Sequence, residues 1–250
     1  MAASAAPGRV FLSIVVPMYN EESRIANCFD KICGYCQARG FDYELLIVDD
    51  GSKDESPALV RRFAEKNPRV RLVSNGTNRG KGYSVRHGML EAKGKHVLFT
   101  DADLSAPIEG LDSFLPLANQ FDVVVGSRDI GGARILVRQP FARRVLRKAF
   151  RLLYGALLFN DILDTQCGFK LFSREAAQKI FSLQTVRGFC FDVEVIFIAK
   201  RLGLKVKEFP VQWSDAADSK VNLLRVPPRM FVDLLRIRFN DWKGWYRASA

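Results

Sequence analysis

Short apolar runs alternate with stretches of helical periodicity along the first half of the chain. The apolar runs predict strands at 12–17, 43–48, 70–74, 96–100 and 121–125, and the periodic stretches predict helices at 22–38, 55–66 and 82–92. Near-continuous apolar strands separated by helices are typical of a parallel sheet that is covered on both faces. No long linker, low-complexity tract or internal repeat divides the 250 residues. We therefore predict a single α/β domain with a mostly parallel sheet.

Polar residues cluster directly after three of the predicted strands. The clusters are Tyr19-Asn20-Glu21, Asp49-Asp50-Gly51-Ser52 and Asp101-Ala102-Asp103. In open α/β sheets, ligands bind in the crevice outside the carboxyl ends of the strands. We therefore expect the three clusters to converge on one ligand-binding crevice.

The glycine patterns of the common nucleotide-binding motifs are absent. No Gly-x-Gly-x-x-Gly follows the first strand, and the segment 76–82 lacks both the spacing and the Ser or Thr of a P-loop. What remains is the pair Asp101 and Asp103, whose alternate side chains project the same way at a strand end. Two hard oxygen ligands suit Mg²⁺ or Mn²⁺, which leave other positions for water and phosphate. Taken alone, such a pair is more often part of a turn or of a solvated edge.

Charge is divided unevenly between the two halves of the chain. Residues 1–125 carry 15 Lys and Arg against 16 Asp and Glu, a net charge of −1, whereas residues 126–250 carry 23 against 11, a net charge of +12. This excess indicates an anionic partner for the second half: nucleic acid, a phosphorylated ligand or an anionic membrane surface. A nucleic-acid-binding protein would not explain the acidic strand-end clusters, and no recognised nucleic-acid module is visible. We predict no nucleic-acid partner.

The cysteines and the opening residues favour a reducing compartment. Cys33 and Cys36 have the spacing of a zinc or redox pair, but no second ligand pair accompanies them, and Cys36 continues an apolar helical pattern with Phe29 and Ile32. We therefore predict reduced, structural thiols. The opening lacks the apolar core of a signal peptide, and no apolar run approaches the roughly 18–20 residues that span a bilayer. The expected location is cytoplasmic.

The segment 141–159 has a basic side and an apolar side when it is drawn as a helix. The basic residues on one side are Arg143, Arg144, Arg147, Lys148 and Arg151. Much of the other side is filled by Val145, Leu152, Leu153 and alanines, and no acidic residue lies between 130 and 160. This pattern predicts a helix that lies in a membrane interface, and hence a peripheral membrane protein. A solvated basic face on a core helix is the alternative.

Eight motifs together resemble those of one enzyme family. They are Pro17-Met-Tyr-Asn-Glu21, Val48-Asp-Asp-Gly-Ser-Lys-Asp54, Asn78-Arg-Gly-Lys-Gly82, Asp101-Ala-Asp-Leu-Ser105, Gly126-Ser-Arg128, Asp164-Thr-Gln-Cys-Gly-Phe-Lys170, Phe191-Asp-Val-Glu194 and Ser219-Lys220. Their order and spacing are similar to those of the family 2 glycosyltransferases of GT-A fold. Within that family, the chain resembles the polyprenyl-phosphate sugar synthases, and most of all the dolichyl-phosphate β-glucosyltransferases.

The resemblance implies a GT-A-type, Rossmann-like sheet and a group-transfer reaction. A hexose would pass from a nucleotide-sugar to polyprenyl or dolichyl phosphate, with inversion at the anomeric carbon and with Mg²⁺ or Mn²⁺ as cofactor. The expected donor is UDP-glucose. We further expect residues 1–125 to form the nucleotide-sugar-binding half, and residues 126–250 to form a basic half that binds the acceptor and docks on an anionic membrane surface.

Position by position, the resemblance implies roles for individual residues. Those expected to line the base and ribose pocket are Pro17, Tyr19, Glu21 and Asp50. Those expected to contact the rest of the nucleotide-sugar are Lys81 with the glycines around it, Asp101 and Ala102. Asp101 and Asp103 would hold the metal, with Asp103 as the more direct ligand. The cations expected to bind the acceptor phosphate during catalysis are Arg128, Arg143 and Lys220.

Two positions depart from the pattern of the mannosyl relatives. Ser105 stands where those relatives often carry Gln, and Ser214 stands where they carry a basic residue. The departures favour the glucosyl branch over the mannosyl branch. Two alternatives stay open: the same reaction with GDP-mannose, and transfer to a soluble glycan acceptor.

Overall fold

Strands and helices alternate in the first half as the sequence predicts. The computed structural model describes residues 10–137, 140–215 and 226–247. The elements up to residue 127 are β1 (Leu12–Met18), α1 (Ile25–Ala38), β2 (Tyr43–Asp49), α2 (Ser56–Lys66), β3 (Val70–Ser74), α3 (Lys81–Glu91), β4 (His96–Thr100), α4 (Leu111–Phe114) and β5 (Val123–Ser127). Two 3₁₀ turns, Ile108–Gly110 and Leu117–Asn119, flank α4.

The described part of the second half contributes four helices and four short strands. Its elements are β6 (Arg134–Val137), α5 (Phe141–Leu157), β7 (Phe169–Ser173), α6 (Arg174–Leu183), α7 (Phe191–Arg201), β8 (Val206–Pro210), β9 (Gln212–Ser214) and α8 (Val226–Trp242). The predicted helix at 141–159 is therefore present as α5. No helix within the described residues combines the length and the hydropathy needed to cross a membrane.

Seven strands form one sheet in the order β3-β2-β1-β4-β7-β5-β8. The pairs β1–β2, β1–β4, β2–β3 and β5–β8 are parallel, whereas β7 runs antiparallel to both of its neighbours. Strands β6 and β9 form a separate parallel pair. The predicted fold class, a mostly parallel α/β domain, is confirmed. The antiparallel strand joins the first half of the chain to the second within the same sheet.

Helices cover both faces of the sheet. On β1, Ile14 and Val16 pack in one cluster with α1 and α2, whereas Val15 packs on the opposite side with α3, α6 and α7, because successive side chains of a strand point to opposite faces. Helix α1 turns Cys36 towards the core as predicted, and it buries Cys33 as well. Burial raises the pKa of Cys36 to about 12, so this thiol stays protonated.

Candidate active site

The carboxyl ends of β1, β2 and β4 lie side by side because β1 pairs in parallel with the other two. Hydrogen bonds join the turns that follow β1 and β2. The backbone N–H of Asn20 donates to Ser52 Oγ (2.9 Å), and the backbone N–H of Lys53 donates to Asn20 Oδ1 (2.8 Å). Asn20 adopts a left-handed backbone with a φ of 54°, which Asn tolerates better than most residues. The first two predicted clusters therefore meet, and the third follows the neighbouring strand.

Asp50 is buried and organises the loop that leads into α3. Its Oδ1 accepts hydrogen bonds from Asn75 Nδ2 and from the backbone N–H of Arg79, and its Oδ2 accepts one from the backbone N–H of Gly80, each at 2.9 Å. Hydrogen bonds to an ionised carboxylate are stronger than neutral ones. All three donors belong to the segment 75–80, so Asp50 stabilises the loop before α3.

The two glycines beside Lys81 allow α3 to begin against the segment 186–188. Gly80 has a φ of 100°, and a Cβ there would lie 2.5 Å from the carbonyl oxygen of Arg187. A Cβ at Gly82 would lie 2.6 Å from the carbonyl oxygen of Val186. Neither position has room for a side chain. Packing within the protein therefore requires glycine at both positions, and their approach to the nucleotide stays a prediction.

Lys81, the first residue of α3, reaches across to the end of β4. Its Nζ lies 2.7 Å from Asp101 Oδ1, and about a quarter of each side chain is exposed. Burial opposes the charge of the ammonium, but the Asp101 and Asp192 carboxylates outweigh it and raise the pKa of Lys81. The backbone of Asp101 is held to that of Gly168, with an N–H to O=C distance of 3.3 Å. The predicted nucleotide-site lysine and metal-site aspartate are thus direct partners.

The carboxylate of Asp103 is electrostatically coupled to that of Asp101. Burial and the Asp101 carboxylate together raise the pKa of Asp103. Its Oδ1 accepts a hydrogen bond of 2.9 Å from the backbone N–H of Ser105, and Leu104 between them has a φ of 48°. Backbone strain of this kind is frequent where a loop presents functional groups.

The chemistry of this pair fits a divalent cation. The two neighbouring carboxylates repel each other, and a hard cation would relieve that repulsion. Within the described residues, no cluster of three or more His, Cys, Asp and Glu side chains is placed to hold a metal ion. Asp101 and Asp103 would therefore share the ion with water and with phosphate oxygens of a bound ligand, an arrangement that is usual for Mg²⁺.

Two buried carboxylates without a predicted role, those of Asp192 and Glu194, bind other groups of the protein. Asp192 binds the ammonium of the buried Lys170, which also donates to the carbonyl oxygen of Cys167 (2.7 Å). Glu194 accepts hydrogen bonds from both the backbone and the hydroxyl of Thr185, and from the hydroxyl of Tyr246 (2.6 Å). Both acids lie on α7, and their partners anchor that helix to β7 and to the end of the chain.

Arg128 is locked in a buried ion pair with Asp164. Its Nε lies 2.6 Å from Asp164 Oδ2, its Nη2 lies 2.8 Å from Oδ1, and its backbone N–H donates to Oδ2 at 3.0 Å. The two side chains are only 7% and 1% exposed. Burial alone would raise the pKa of Asp164, but the guanidinium lowers it to about 2. The Arg128 guanidinium also lies over the indole of Trp213, 5.2 Å from the ring centroid.

A basic cleft of about 370 Å³ opens beside this ion pair. The residues that line it are Arg128, Asp129, Ala133, Ile135, Arg144, Arg147 and Trp213. Arg147 binds Asp129 at 3.0 Å and approaches Asp164 at 3.9 Å, and its buried Nε has no hydrogen-bond partner among the described residues. Arg143, the predicted phosphate ligand of the same helix, approaches Asp215 at 4.0 Å. The cleft therefore holds guanidinium groups that are only partly neutralised.

Hydrogen bonds connect one wall of the basic cleft to Asp103 of the acidic pair. Trp213 and Ser214 belong to β9, and the backbone N–H of Ser214 donates to the carbonyl oxygen of Ser105 at 2.9 Å. Ser105 in turn donates to Asp103. The two positions that depart from the mannosyl pattern are therefore direct neighbours. One short chain of hydrogen bonds connects the expected metal site to the expected acceptor site.

The remaining predicted residues lie in different surroundings. Pro17 is half-buried on β1 and Ala102 is buried, whereas Tyr19 is exposed after β1. The backbone N–H of Glu21 donates to Ser56 Oγ at 2.8 Å, and its carboxylate lies 3.4 Å from Arg24. Lys220 lies outside the described residues.

Sequence reasoning missed two cleft residues, Arg147 and Trp213. Arg147 was grouped with the basic side of an interfacial helix, yet it turns towards Asp129 and Asp164. Trp213 had no predicted role, yet the Arg128 guanidinium lies over its indole ring. For Arg147 a signal was available: it lies one helical turn after Arg143, on the same side of α5.

The chain was compared with protein-family models and with curated proteins. The model of glycosyl transferase family 2 matches residues 13–181. The dolichyl-phosphate beta-glucosyltransferase of Dictyostelium discoideum is 34% identical over 254 residues, covering 96% of this chain and 78% of that protein. The human dolichyl-phosphate beta-glucosyltransferase is 35% identical over 252 residues, covering 95% and 78%.

Solved structures with the same fold include glucosyl-3-phosphoglycerate synthase from Mycobacterium tuberculosis. Its complex with Mn²⁺, UDP-glucose and phosphoglyceric acid is 21% identical and matches with a TM-score of 0.69, covering 92% of this chain and 80% of that one. A second complex of the same enzyme, with Mn²⁺, UDP and glucosyl-3-phosphoglycerate, matches with a TM-score of 0.68. At this level of identity the match establishes the fold, including the predicted GT-A type.

Proposed function

The chain belongs to glycosyl transferase family 2, and we propose that it transfers glucose from UDP-glucose to dolichyl or polyprenyl phosphate, with inversion at the anomeric carbon. The observation that carries the proposal is the position of the basic cleft. A cleft lined by three arginines, next to a pair of acidic residues at the strand ends, suits a phosphate acceptor beside a metal-bound donor. The names of the two relatives supply the sugar and the lipid.

On the donor side, Asp101 and Asp103 would hold Mg²⁺ or Mn²⁺. When bound, the cation would neutralise the charge that develops on the departing nucleoside diphosphate. Metal dependence is supported by the Mn²⁺ in the mycobacterial complexes and by the repulsion between the two carboxylates. Lys81 begins α3 at this edge of the sheet, so its ammonium can reach the diphosphate.

The base and ribose would occupy the crevice formed by the turns after β1 and β2. Tyr19 offers an exposed ring for stacking, and Pro17, Glu21 and Ala102 would complete the wall. Asp50 would act by holding the loop in front of α3, since its carboxylate already accepts three hydrogen bonds from that loop. In this proposal the first half of the chain binds the donor and the second half binds the acceptor.

On the acceptor side, the lipid phosphate is itself the nucleophile. A phosphate monoester is mostly dianionic at neutral pH because its second pKa is about 6. One of its oxygens forms a bond to the anomeric carbon, and the bond from that carbon to the diphosphate oxygen breaks with its electron pair leaving on UDP. No proton has to be removed from the nucleophile. Attack from the face opposite the leaving group inverts the configuration.

Four cations would hold this phosphate, and three of them lie within the described residues. Arg128 follows β5, Arg143 and Arg147 lie on α5, and Lys220 is the fourth. Guanidinium groups bind phosphate with two parallel hydrogen bonds, so they position as well as attract it. The buried, unpartnered Nε of Arg147 adds this residue to the group implied by the resemblance.

Membrane docking of the second half is part of the proposal. Helices α5 and α8 pack against each other, and both carry exposed apolar side chains, with Phe141 77%, Leu152 75% and Trp242 72% exposed. Exposed residues on α8 at helical spacing are Phe231, Val232, Leu235, Phe239 and Trp242. Apolar faces bordered by Lys and Arg are typical of helices that lie in an anionic membrane interface. We propose peripheral attachment at the cytoplasmic face.

A donor and acceptor panel tests the function. The purified chain is incubated with UDP-glucose, GDP-mannose or other nucleotide-sugars, with polyprenyl phosphate or a soluble glycan, and with Mg²⁺, Mn²⁺ or EDTA. We expect glucosyl phospholipid from UDP-glucose only when metal is present, with inverted configuration by NMR. Product from GDP-mannose alone, or on the glycan alone, would contradict the proposal. Polyprenol that lacks the phosphate is the control acceptor and should not react.

A further inference from the structure

The Asp101 carboxylate is confined on one side by backbone and on the other by a cation. A Cβ at position 168 would lie only 1.9 Å from Asp101 Oδ2, so Gly168 leaves that oxygen just enough room. The other oxygen, Oδ1, is in contact with Lys81 Nζ at 2.7 Å. The Lys81 ammonium thus occupies Asp101 Oδ1, an oxygen of one of the two proposed metal ligands.

The net charge that Asp101, Asp103 and Lys81 present to a metal ion depends on where the Lys81 ammonium lies. Asp101, Asp103 and Lys81 sum to −1, so a divalent cation would meet a single net negative charge. If Lys81 leaves Asp101, the two carboxylates present −2 to the metal. Because attraction scales with charge and inversely with distance, the lysine weakens the hold of this site on any second cation.

A second lysine limits where the Lys81 ammonium can go. Lys81 Nζ and Lys170 Nζ both lie near the ring of Phe99, at 5.6 and 5.4 Å from its centroid. Lys170 is buried and already binds the inner carboxylate, Asp192. The inward direction is therefore already occupied by the Lys170–Asp192 ion pair, whereas the outward side of Lys81 is partly exposed. An ammonium that leaves Asp101 would move towards the crevice.

We propose that Lys81 holds the place of the divalent cation on Asp101 and is displaced when metal binds together with the donor, its ammonium then pairing with the donor diphosphate. The proposal deepens the proposed function, since it assigns the donor site a mechanism for coupling metal to nucleotide. Metal alone must compete with Lys81 and binds weakly. Metal with UDP binds tightly, because the diphosphate adds ligands to the ion and offers the released ammonium a new partner.

The test is Mn²⁺ binding to the intact chain, measured by electron paramagnetic resonance without any turnover. Lys81→Met keeps the length and apolar stem of the side chain but removes the competing charge. We expect Lys81→Met to bind Mn²⁺ alone about tenfold more tightly than the parent, which corresponds to about 1.4 kcal/mol. We expect UDP to tighten Mn²⁺ binding less in this variant than in the parent. Lys81→Arg retains the charge and should bind Mn²⁺ alone as weakly as the parent.

A matched control separates local competition from net charge. Lys93→Met removes the same charge from an exposed position after α3 and should leave Mn²⁺ binding unchanged. Equal tightening by Lys93→Met and Lys81→Met would overturn the proposal, as would Mn²⁺ binding to Lys81→Met that is no tighter than to the parent. Circular dichroism checks that each variant is folded.

A measurement on the unaltered chain does not depend on any variant folding. Amine-directed labelling followed by mass spectrometry reports how available the Lys81 ammonium is. We expect saturating Mg²⁺ to increase labelling of Lys81 and UDP with Mg²⁺ to suppress it again, with Lys93 unchanged throughout. Labelling of Lys81 that is indifferent to Mg²⁺ would overturn the proposal. Glucosyl transfer by the unaltered chain together with unaltered Mn²⁺ affinity in Lys81→Met would refute this inference alone. Tighter Mn²⁺ binding by Lys81→Met together with no transfer by the unaltered chain would refute the proposed function alone.

Discussion

The ion pair of Arg128 with Asp164 has a proposed role in stability, and Arg128 has a second proposed role in binding the acceptor phosphate. Unfolding measurements and acceptor kinetics distinguish the two roles. The carboxylate is 1% exposed and receives three hydrogen bonds from Arg128, two from the guanidinium and one from the backbone. Arg128→Ala removes the two side-chain bonds and leaves a buried charge behind. Breaking a buried ion pair in this way costs about 3–5 kcal/mol, more than the net value of the pair.

The magnitude is measured with a double-mutant cycle in urea. Arg128→Ala and Asp164→Ala should each lower the free energy of unfolding by about 3–5 kcal/mol, and the double variant should lose clearly less than the sum, since neither charge is then stranded. The neighbouring Arg147 partly compensates Asp164 at 3.9 Å. We therefore expect the loss in Arg128→Ala to fall towards the lower end of the range.

The kinetic part of the experiment uses Arg147→Ala as the matched comparison. Arg147 lines the same cleft but is 21% exposed, so its removal should lower stability by about 1 kcal/mol or less while raising the acceptor KM. Donor affinity, measured by calorimetry, should be unchanged in both variants. An Arg128→Ala protein that unfolds like the parent would refute the reasoning, because the guanidinium would then not be held by Asp164. Comparable losses of donor affinity and turnover would move both arginines to the donor site.

Three further predictions concern the metal, the pH dependence and the membrane. Asp103→Ala should abolish transfer and Mn²⁺ binding while the circular dichroism spectrum is retained; unchanged turnover at matched metal concentration would remove Asp103 from the metal site. His96 is buried, and its Nδ1 has no hydrogen-bond partner among the described residues. Burial together with Lys95 lowers its pKa to about 4, so the unfolded state binds more protons between pH 4 and 6.5 and stability should rise with pH there, by at most about 3 kcal/mol. His96→Phe should flatten that slope, and an unchanged slope in urea titrations would assign it elsewhere. Replacing the exposed Phe141, Leu152 and Trp242 by Ser should reduce co-sedimentation with anionic liposomes and slow transfer to long-chain more than to short-chain acceptors; full binding by this variant would exclude these side chains as the docking surface.

The first half of the fold could be predicted because its strands are continuous apolar runs and its helices are periodic. Strand β7 was not predicted, since Phe169–Ser173 is short and its second residue is Lys170. The charge of that lysine is compensated inside the sheet by Asp192, 22 residues later. A partner so distant along the chain leaves no local signal, and this also explains why Asp192 had no predicted role.

The sequence also predicted only part of the surroundings of the basic side of α5. Helical periodicity correctly placed Arg143 and Arg147 on one side of the helix, but it could not show that Asp215 and Asp129 face them. Both acids come from loops next to the small β6–β9 sheet, whose pairing depends on tertiary contacts. The apolar side lies mostly outward, with Val145 and Leu152 exposed. The interfacial interpretation of α5 therefore gains support on its apolar side, whereas part of its basic side belongs to the cleft.

The paired arginines also bear on how a product could leave the proposed acceptor site. Of the three arginines that line the cleft, Arg128 and Arg147 each contact a carboxylate, so the cleft is less positive than the +12 of the second half suggests. A phosphate must compete with those carboxylates, and a dianion competes better than a monoanion. Transfer of the sugar converts the monoester dianion into a diester with a single charge, because the attacking oxygen loses its charge on forming the new bond. A cleft of partly neutralised arginines would therefore hold the substrate more firmly than the product, whereas a cleft of unpaired arginines would bind both tightly and slow release.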